Sequence, residues 1–238
     1  MIFARLLVLA IGMLTWSAAR EPAVAAAPVC APYTKAITIN FKTLAPKPVY
    51  NNRLSIQGIR STFREHTDPI LGPHERALGI TYAQTSYSAE ARSSATTVKG
   101  GYCVYLTGLD VTFGFKSMDV YIASEFEPGT CEYRSVLDHE NQHVAINNGT
   151  LKAFAPMFHA EVQRLLARQQ PVYSANAQAG MDIALTNVEK GMSKVWDQFQ
   201  DTMADRNAPL DSASNYAATS ALCSNWNGMS APQPHQRR

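Results

Sequence analysis

The stretch from Ser135 to about Arg168 reads as one long helix, and it constrains the fold more than any other part of the chain. Leu151, Phe154, Phe158, Val162 and Leu165 recur every three or four residues, the spacing that lines up side chains along one side of a helix. Ser135, with Asp138 three residues on, resembles a capping box at its start, and Pro171 stops it. A second helix is expected over roughly Ala175 to Ala204, with Met192, Val195, Trp196, Phe199 and Met203 as its buried stripe. Before Cys131 the pattern is extended. Thr34 to Phe41 alternates, with Ile37, Ile39 and Phe41 on one face, and Leu78 to Ala91, Tyr102 to Thr112 and Val120 to Phe126 also read as strands. Pro46 and Pro48 mark Leu44 to Asn52 as loop, and Ser93 to Gly101 reads as a polar turn. The connections are too short for crossover helices, so the sheet is expected to be mainly antiparallel. The fold class expected is α+β: an N-terminal, mainly antiparallel sheet followed by two long helices.

The ends of the 238-residue chain stand apart from this pattern. Residues 1–26 have the layout of a secretory signal peptide: Arg5, an apolar run from Leu6 to Trp16, then small residues with possible cleavage points after Ala19 or Ala26. Residues 27–229 are expected to form a single domain, with 230–238 a disordered tail. Cys30, Cys103, Cys131 and Cys223 all lie beyond the leader. An even cysteine count in an exported chain reads as disulfides, here Cys103 with Cys131 and Cys30 with Cys223. The net charge of +2 is scattered, which gives no footprint for nucleic acid. No segment after the leader is apolar over the ~20 residues a membrane span needs. A periplasmic or secreted protein is expected.

The long helix also carries His139-Glu140-Asn141-Gln142-His143. Histidines four apart on a helix share one face, so both imidazoles can reach one zinc ion at the ~2.0–2.1 Å that Zn–N bonds require. Zinc acidifies a bound water, and Glu140, beside the first histidine, can take its proton as general base. The flanking Val136, Leu137, Val144 and Ile146 argue against a simply solvated pair of histidines. A catalytic zinc takes three protein ligands. Position 149 is Gly149, so the extended HExxHxxGxxH pattern is absent. His159 and Glu161 can serve only if the helix breaks near Gly149 or Pro156, because residue 159 is otherwise ~24 Å along the axis from His143. Asp182, Glu189, Asp197 and Asp201 lie on the second helix, and Asp211 and Tyr216 beyond it.

His139 to Ile146 resembles the motif helix of a family of bacterial proteins described as predicted secreted zinc-dependent proteases. Leu54 to Gly58 and Leu78-Gly79-Ile80-Thr81 are similar to an early strand and a Gly-x-Thr element of that family. The resemblance implies a zincin-like domain, a zinc cofactor and a peptide or protein substrate. The family's tail has an Asp, a Thr three on and a His five on; this chain has Asp211, Ser214 and Tyr216. The resemblance thus points to Tyr216 as third ligand, with Asp211 as the alternative, either as ligand or as partner to a histidine. Two functions are expected to compete: a zinc metallopeptidase, and a non-catalytic envelope protein whose metal site is structural or vestigial.

Overall fold

The computed structural model describes residues 29–67 and 77–226. The expected leader and tail lie outside these residues. In chain order the elements are β1 (Thr38–Leu44), β2 (Val49–Asn51), α1 (Ile56–Thr62), α2 (Arg64–Thr67), β3 (Gly79–Val98), β4 (Gly101–Ile122), α3 (Cys131–Ala167), β5 (Val172–Ser174), α4 (Ala177–Asn207) and α5 (Ala213–Ser220). The fold is mixed α and β, with α3 and α4 packed on a five-stranded sheet and on each other.

Every strand of that sheet pairs with β4. β3 runs antiparallel to it over its whole length, and β5 adds a short antiparallel pairing. β1 and β2 run parallel to it. The sheet is therefore mixed, where sequence led us to expect a mainly antiparallel one. β1 and β2 behave as a single edge strand in one register: Leu44 faces Gly114 and Val49 faces Asp119, the same offset along the chain. Pro46 and Pro48, which have no N–H to donate, interrupt it.

β3 and β4 form one long hairpin across residues expected to be a polar turn and three separate strands. It turns at Lys99-Gly100, where Gly100 has φ +82°, a conformation that suits glycine. The buried apolar residues of β4 are Val104 and Leu106, then Leu109, Val111, Phe113 and Phe115, then Met118, Val120 and Ile122. Their parity switches twice. At both switches the β3 pairing slips by one residue, passing over Thr107 and Lys116. Each extra residue would turn the core face outward in a regular strand; a bulge restores it. A reading that relies on strict alternation breaks the strand there.

The first of the two long helices, α3, begins at Cys131 with Thr130 as N-cap, whose hydroxyl accepts from the Tyr133 N–H. Ser135, the expected cap, lies inside the helix and donates to the Thr219 carbonyl. Pro156 does not break it: residues 152, 156 and 157 are exposed, so the carbonyl that proline leaves unpaired faces water. The far half of α3 supplies the core. Phe158 stacks on Phe113 with ring centroids 4.4 Å apart, and Phe199 of α4 meets Phe113 edge-on at 5.0 Å.

The disulfides are Cys30–Cys103 and Cys131–Cys223. This corrects both expected pairings. Cys103 lies on β4 near the hairpin turn, where the N-terminal segment reaches it, whereas Cys131 at the start of α3 faces the segment after α5. Among the described residues no helix is long and apolar enough to cross a membrane.

Candidate metal centre

One face of α3 changes character halfway along. Its first half buries Glu132, Ser135, His139, Glu140, His143, Asn147 and Thr150; its second half buries Leu151, Phe154, Phe158, Val162 and Leu166. Buried polar side chains need partners, and here the partners come from β3, from the end of α4 and from the loop after it. His139, Glu140 and His143 are only 6%, 4% and 8% exposed, so they are not a solvated helix face.

The imidazoles converge. His139 Nε2 and His143 Nε2 are 3.2 Å apart, and Asp211 Oδ1 lies 3.2 Å from His143 Nε2 and 3.7 Å from His139 Nε2. Ligand atoms around a tetrahedral zinc with bonds of ~2.0–2.1 Å stand ~3.3 Å apart. The triangle of two nitrogens and one oxygen fits such an ion. Among the described residues, His139, His143 and Asp211 are the group of His, Cys, Asp and Glu side chains close enough to share a metal ion.

The surroundings orient these ligands. His143 Nδ1–H donates to Asn207 Oδ1 at 2.7 Å, which leaves the Nε2 lone pair for an ion. Asn207 is fixed in turn, its amide donating to Asn147 Oδ1 and the Met203 carbonyl, both at 2.8 Å. His139 Nδ1 has a longer contact, 3.4 Å, to Asn215 Nδ2, which also donates to the Leu210 carbonyl. Asp211 is not a helix cap; Ser212 caps α5. Asp211 is free to face the histidines from the loop that α4 and α5 bracket.

Tyr216, the other residue of that stretch, lies beside Asp211. Its hydroxyl donates to Asp211 Oδ1 at 2.8 Å and its ring lies against His139, with centroids 5.3 Å apart. It supports the carboxylate, and Asp211 presents the oxygen that faces both imidazole nitrogens. The other candidates stay away. α3 is unbroken, so His159 stacks on Phe41 and Glu161 pairs with Arg164 well down the helix. Asp182 accepts from Gln178, while Glu189 and Asp197 lie near Tyr87. Asp201 is on the exposed side of α4.

Charge follows geometry. Burial works against a cationic His143, but the Asp211 hydrogen bond and the Glu140 charge push its pKa up to about 9. Burial also disfavours an anionic Asp211, yet the two imidazoles and Tyr216 hold its carboxyl well below the usual range. The buried pair is therefore a protonated His143 facing an ionised Asp211. Glu140 differs: burial raises its pKa, and the histidines and Thr81 only partly offset this.

Glu140 is held by β3. Thr81 Oγ1 is 2.9 Å from Glu140 Oε2 and 3.0 Å from its carbonyl. Gly79 makes room: a Cβ there would come within 2.8 Å of Glu140 Oε1 and 2.7 Å of Val136 Cγ1. Residues 79–83 of β3 line a cavity of about 270 Å³ together with His66, Ala77, Glu140, His143, Asn147, Met203, Asn207, Asp211 and Tyr216. β3 is the strand bordering the site; its other edge pairs with no strand among the described residues.

Sequence reasoning singled out Gly79 and Thr81 only as a Gly-x-Thr element, without a role at the site, and missed Asn147, Asn207 and Asn215. Asn147 could have been found, since it lies four residues after His143 on the same helix face. Asn207 and Asn215 carry no local signal. Compared with protein-family models, with curated proteins and with solved structures, the chain matches none.

Proposed function

We propose that the protein is an exported zinc-dependent hydrolase, a metallopeptidase with a zincin-like site. The observation that carries the reading is the ligand triangle of His139, His143 and Asp211, with buried Glu140 next to it in sequence and a cavity beside both. Two imidazoles and a carboxylate are a donor set that suits zinc, and three protein ligands leave a position for water or substrate. A bound zinc would supply acidified water and polarise a carbonyl. Glu140 would accept the proton and return it to the leaving amine. The unpaired edge of β3 offers an extended peptide main-chain partners along the cavity wall. The resemblance to secreted zinc-dependent proteases belongs to the same reading. The two disulfides fit an oxidising compartment, outside the cell or periplasmic.

A structural metal site is the competing reading. Structural zinc sites are closed by four protein ligands, and the cavity at Glu140 and His143 favours the open, catalytic alternative. Elemental analysis together with casein cleavage separates the two. We expect about one zinc per chain, and cleavage that disappears in Glu140→Ala while the zinc stays. Zinc without Glu140-dependent cleavage of casein or of a peptide library would leave the structural site as the better reading.

A further inference from the structure

The third ligand comes from an arm, residues 208–226, that is weakly attached by ordinary packing. α5 buries no residue, Trp226 is the buried apolar side chain of the arm, and Leu222 is 71% exposed. Tyr216 and Cys223 are partly buried against the core. At the site end the arm meets His139 and His143 through Asp211, Asn215 and the Tyr216 ring, and further ties are spread along it. Ser135 donates to the Thr219 carbonyl at 3.1 Å, the Asn225 N–H donates to Glu132 at 2.9 Å, and Trp226 meets Phe126 edge-on at 5.7 Å. The covalent tie is Cys131–Cys223. Cys131 opens the helix that carries the histidines, about two turns before His139, and Cys223 lies at the far end of the arm from Asp211. This disulfide therefore joins the two pieces of chain that must meet for the ligand triangle to exist.

We propose that Cys131 and Cys223 are positioning residues of the metal centre, so that Asp211 is held at His139 and His143 only in the oxidised protein. The inference rests on the zinc reading above. With the bond intact, the carboxylate is confined near the two imidazoles and its effective concentration there is high. With both cysteines reduced, the arm is held by separate hydrogen bonds of modest net worth, by Asp211 against the histidines, and by the ring contacts of Tyr216 with His139 and of Trp226 with Phe126. The centre then offers two firm ligands, short of the three a catalytic zinc takes. Closing the bond removes two protons and two electrons from the thiols, and a disulfide oxidant of the exported compartment accepts them as it becomes a dithiol. A peptidase built this way stays unassembled in a reducing cytosol and completes its metal site after export. The other disulfide is a control within the same chain, since Cys30–Cys103 lies at the hairpin-turn end of β4 while Tyr121, close to Gly79, marks the site end.

The test is zinc affinity by competition with a chromogenic chelator. It is run on the full exported chain, on Cys131→Ser/Cys223→Ser, and on Cys30→Ser/Cys103→Ser, each with and without Asp211→Ala. Loss of the arm's disulfide is expected to weaken zinc binding by about 10- to 100-fold, the range for losing support to a ligand. Asp211→Ala should add little in that background. The control pair should keep the parent affinity and the full Asp211 effect. Parent-like affinity with full Asp211 dependence in Cys131→Ser/Cys223→Ser would overturn the proposal while leaving the metal reading intact. A parent chain that takes up no zinc would remove the metal reading itself. If the double serine variant does not fold by circular dichroism, the Cys30→Ser/Cys103→Ser chain serves instead. It has one disulfide left, and a phosphine reductant should produce the same loss of affinity; unchanged affinity after complete reduction would overturn the proposal.

Discussion

At the scale of single residues, the site separates ligands from the groups that aim them. Asp211 faces both imidazole nitrogens and Tyr216 holds Asp211. Asp211→Ala should therefore cost more zinc affinity than Tyr216→Phe, for which a loss of about 10- to 100-fold is the range for an outer partner. Equal losses by competition titration would mean that the tyrosine oxygen binds the ion directly. The two histidines and Glu140 were legible in sequence because helical spacing alone brings them together. The third ligand was not, since 68 residues separate His143 from Asp211 (211 − 143) and no periodicity links a helix to a later loop. The resemblance narrowed the choice to Asp211 and Tyr216, and in the fold the tyrosine donates to Asp211, whose oxygen faces both imidazole nitrogens.

At the scale of elements, the informative contact is between α3 and β3. Gly79 and Thr81 form a socket for the Glu140 carboxylate. A hydrogen bond to a charged group contributes about 1.5–3 kcal/mol, so Thr81→Val should lower hydrolysis by roughly 10- to 100-fold while zinc stays bound, and Thr81→Ser should restore most of it. Unchanged turnover in Thr81→Val would show that β3 does not hold the base. Further along α3 the same face is core. Phe158 is fully buried against Phe113, and Phe158→Ala should cost about 3–5 kcal/mol of stability in denaturant melts. The two long helices were legible from apolar spacing, with starts and ends shifted by a few residues, whereas α1 starts within a segment read as extended. β4 was not legible as one strand, because the bulges at Thr107 and Lys116 reverse its alternation. β2 was hidden as well: Pro46 and Pro48 suggest a loop, and only pairing with β4 shows the strand resuming in register.

For the whole molecule, the sheet and the far halves of α3 and α4 form the apolar body, and the metal centre sits where α3, β3 and the arm after α4 meet. An ion that binds only the folded protein stabilises it. At a hundredfold excess over its dissociation constant the gain is about 2.7 kcal/mol, and for a chain of this size that is roughly 5–10 °C in melting temperature. A chelator should lower the melting temperature of the zinc-loaded protein by that amount and should leave His143→Ala nearly unchanged; an equal shift in both would point to a metal bound elsewhere. The disulfide pairing was beyond the sequence for a related reason. Four cysteines allow three pairings, and only the folded chain brings Cys223 to the start of α3.

The central claim is that His139, His143 and Asp211 hold one zinc ion between them. Anomalous diffraction at the zinc absorption edge, from crystals of zinc-loaded protein, tests it most directly. The account predicts one strong peak at about 2.0–2.2 Å from His139 Nε2, His143 Nε2 and an Asp211 carboxylate oxygen. A peak held by other side chains, or no peak at these three in crystals grown with excess zinc, would contradict it.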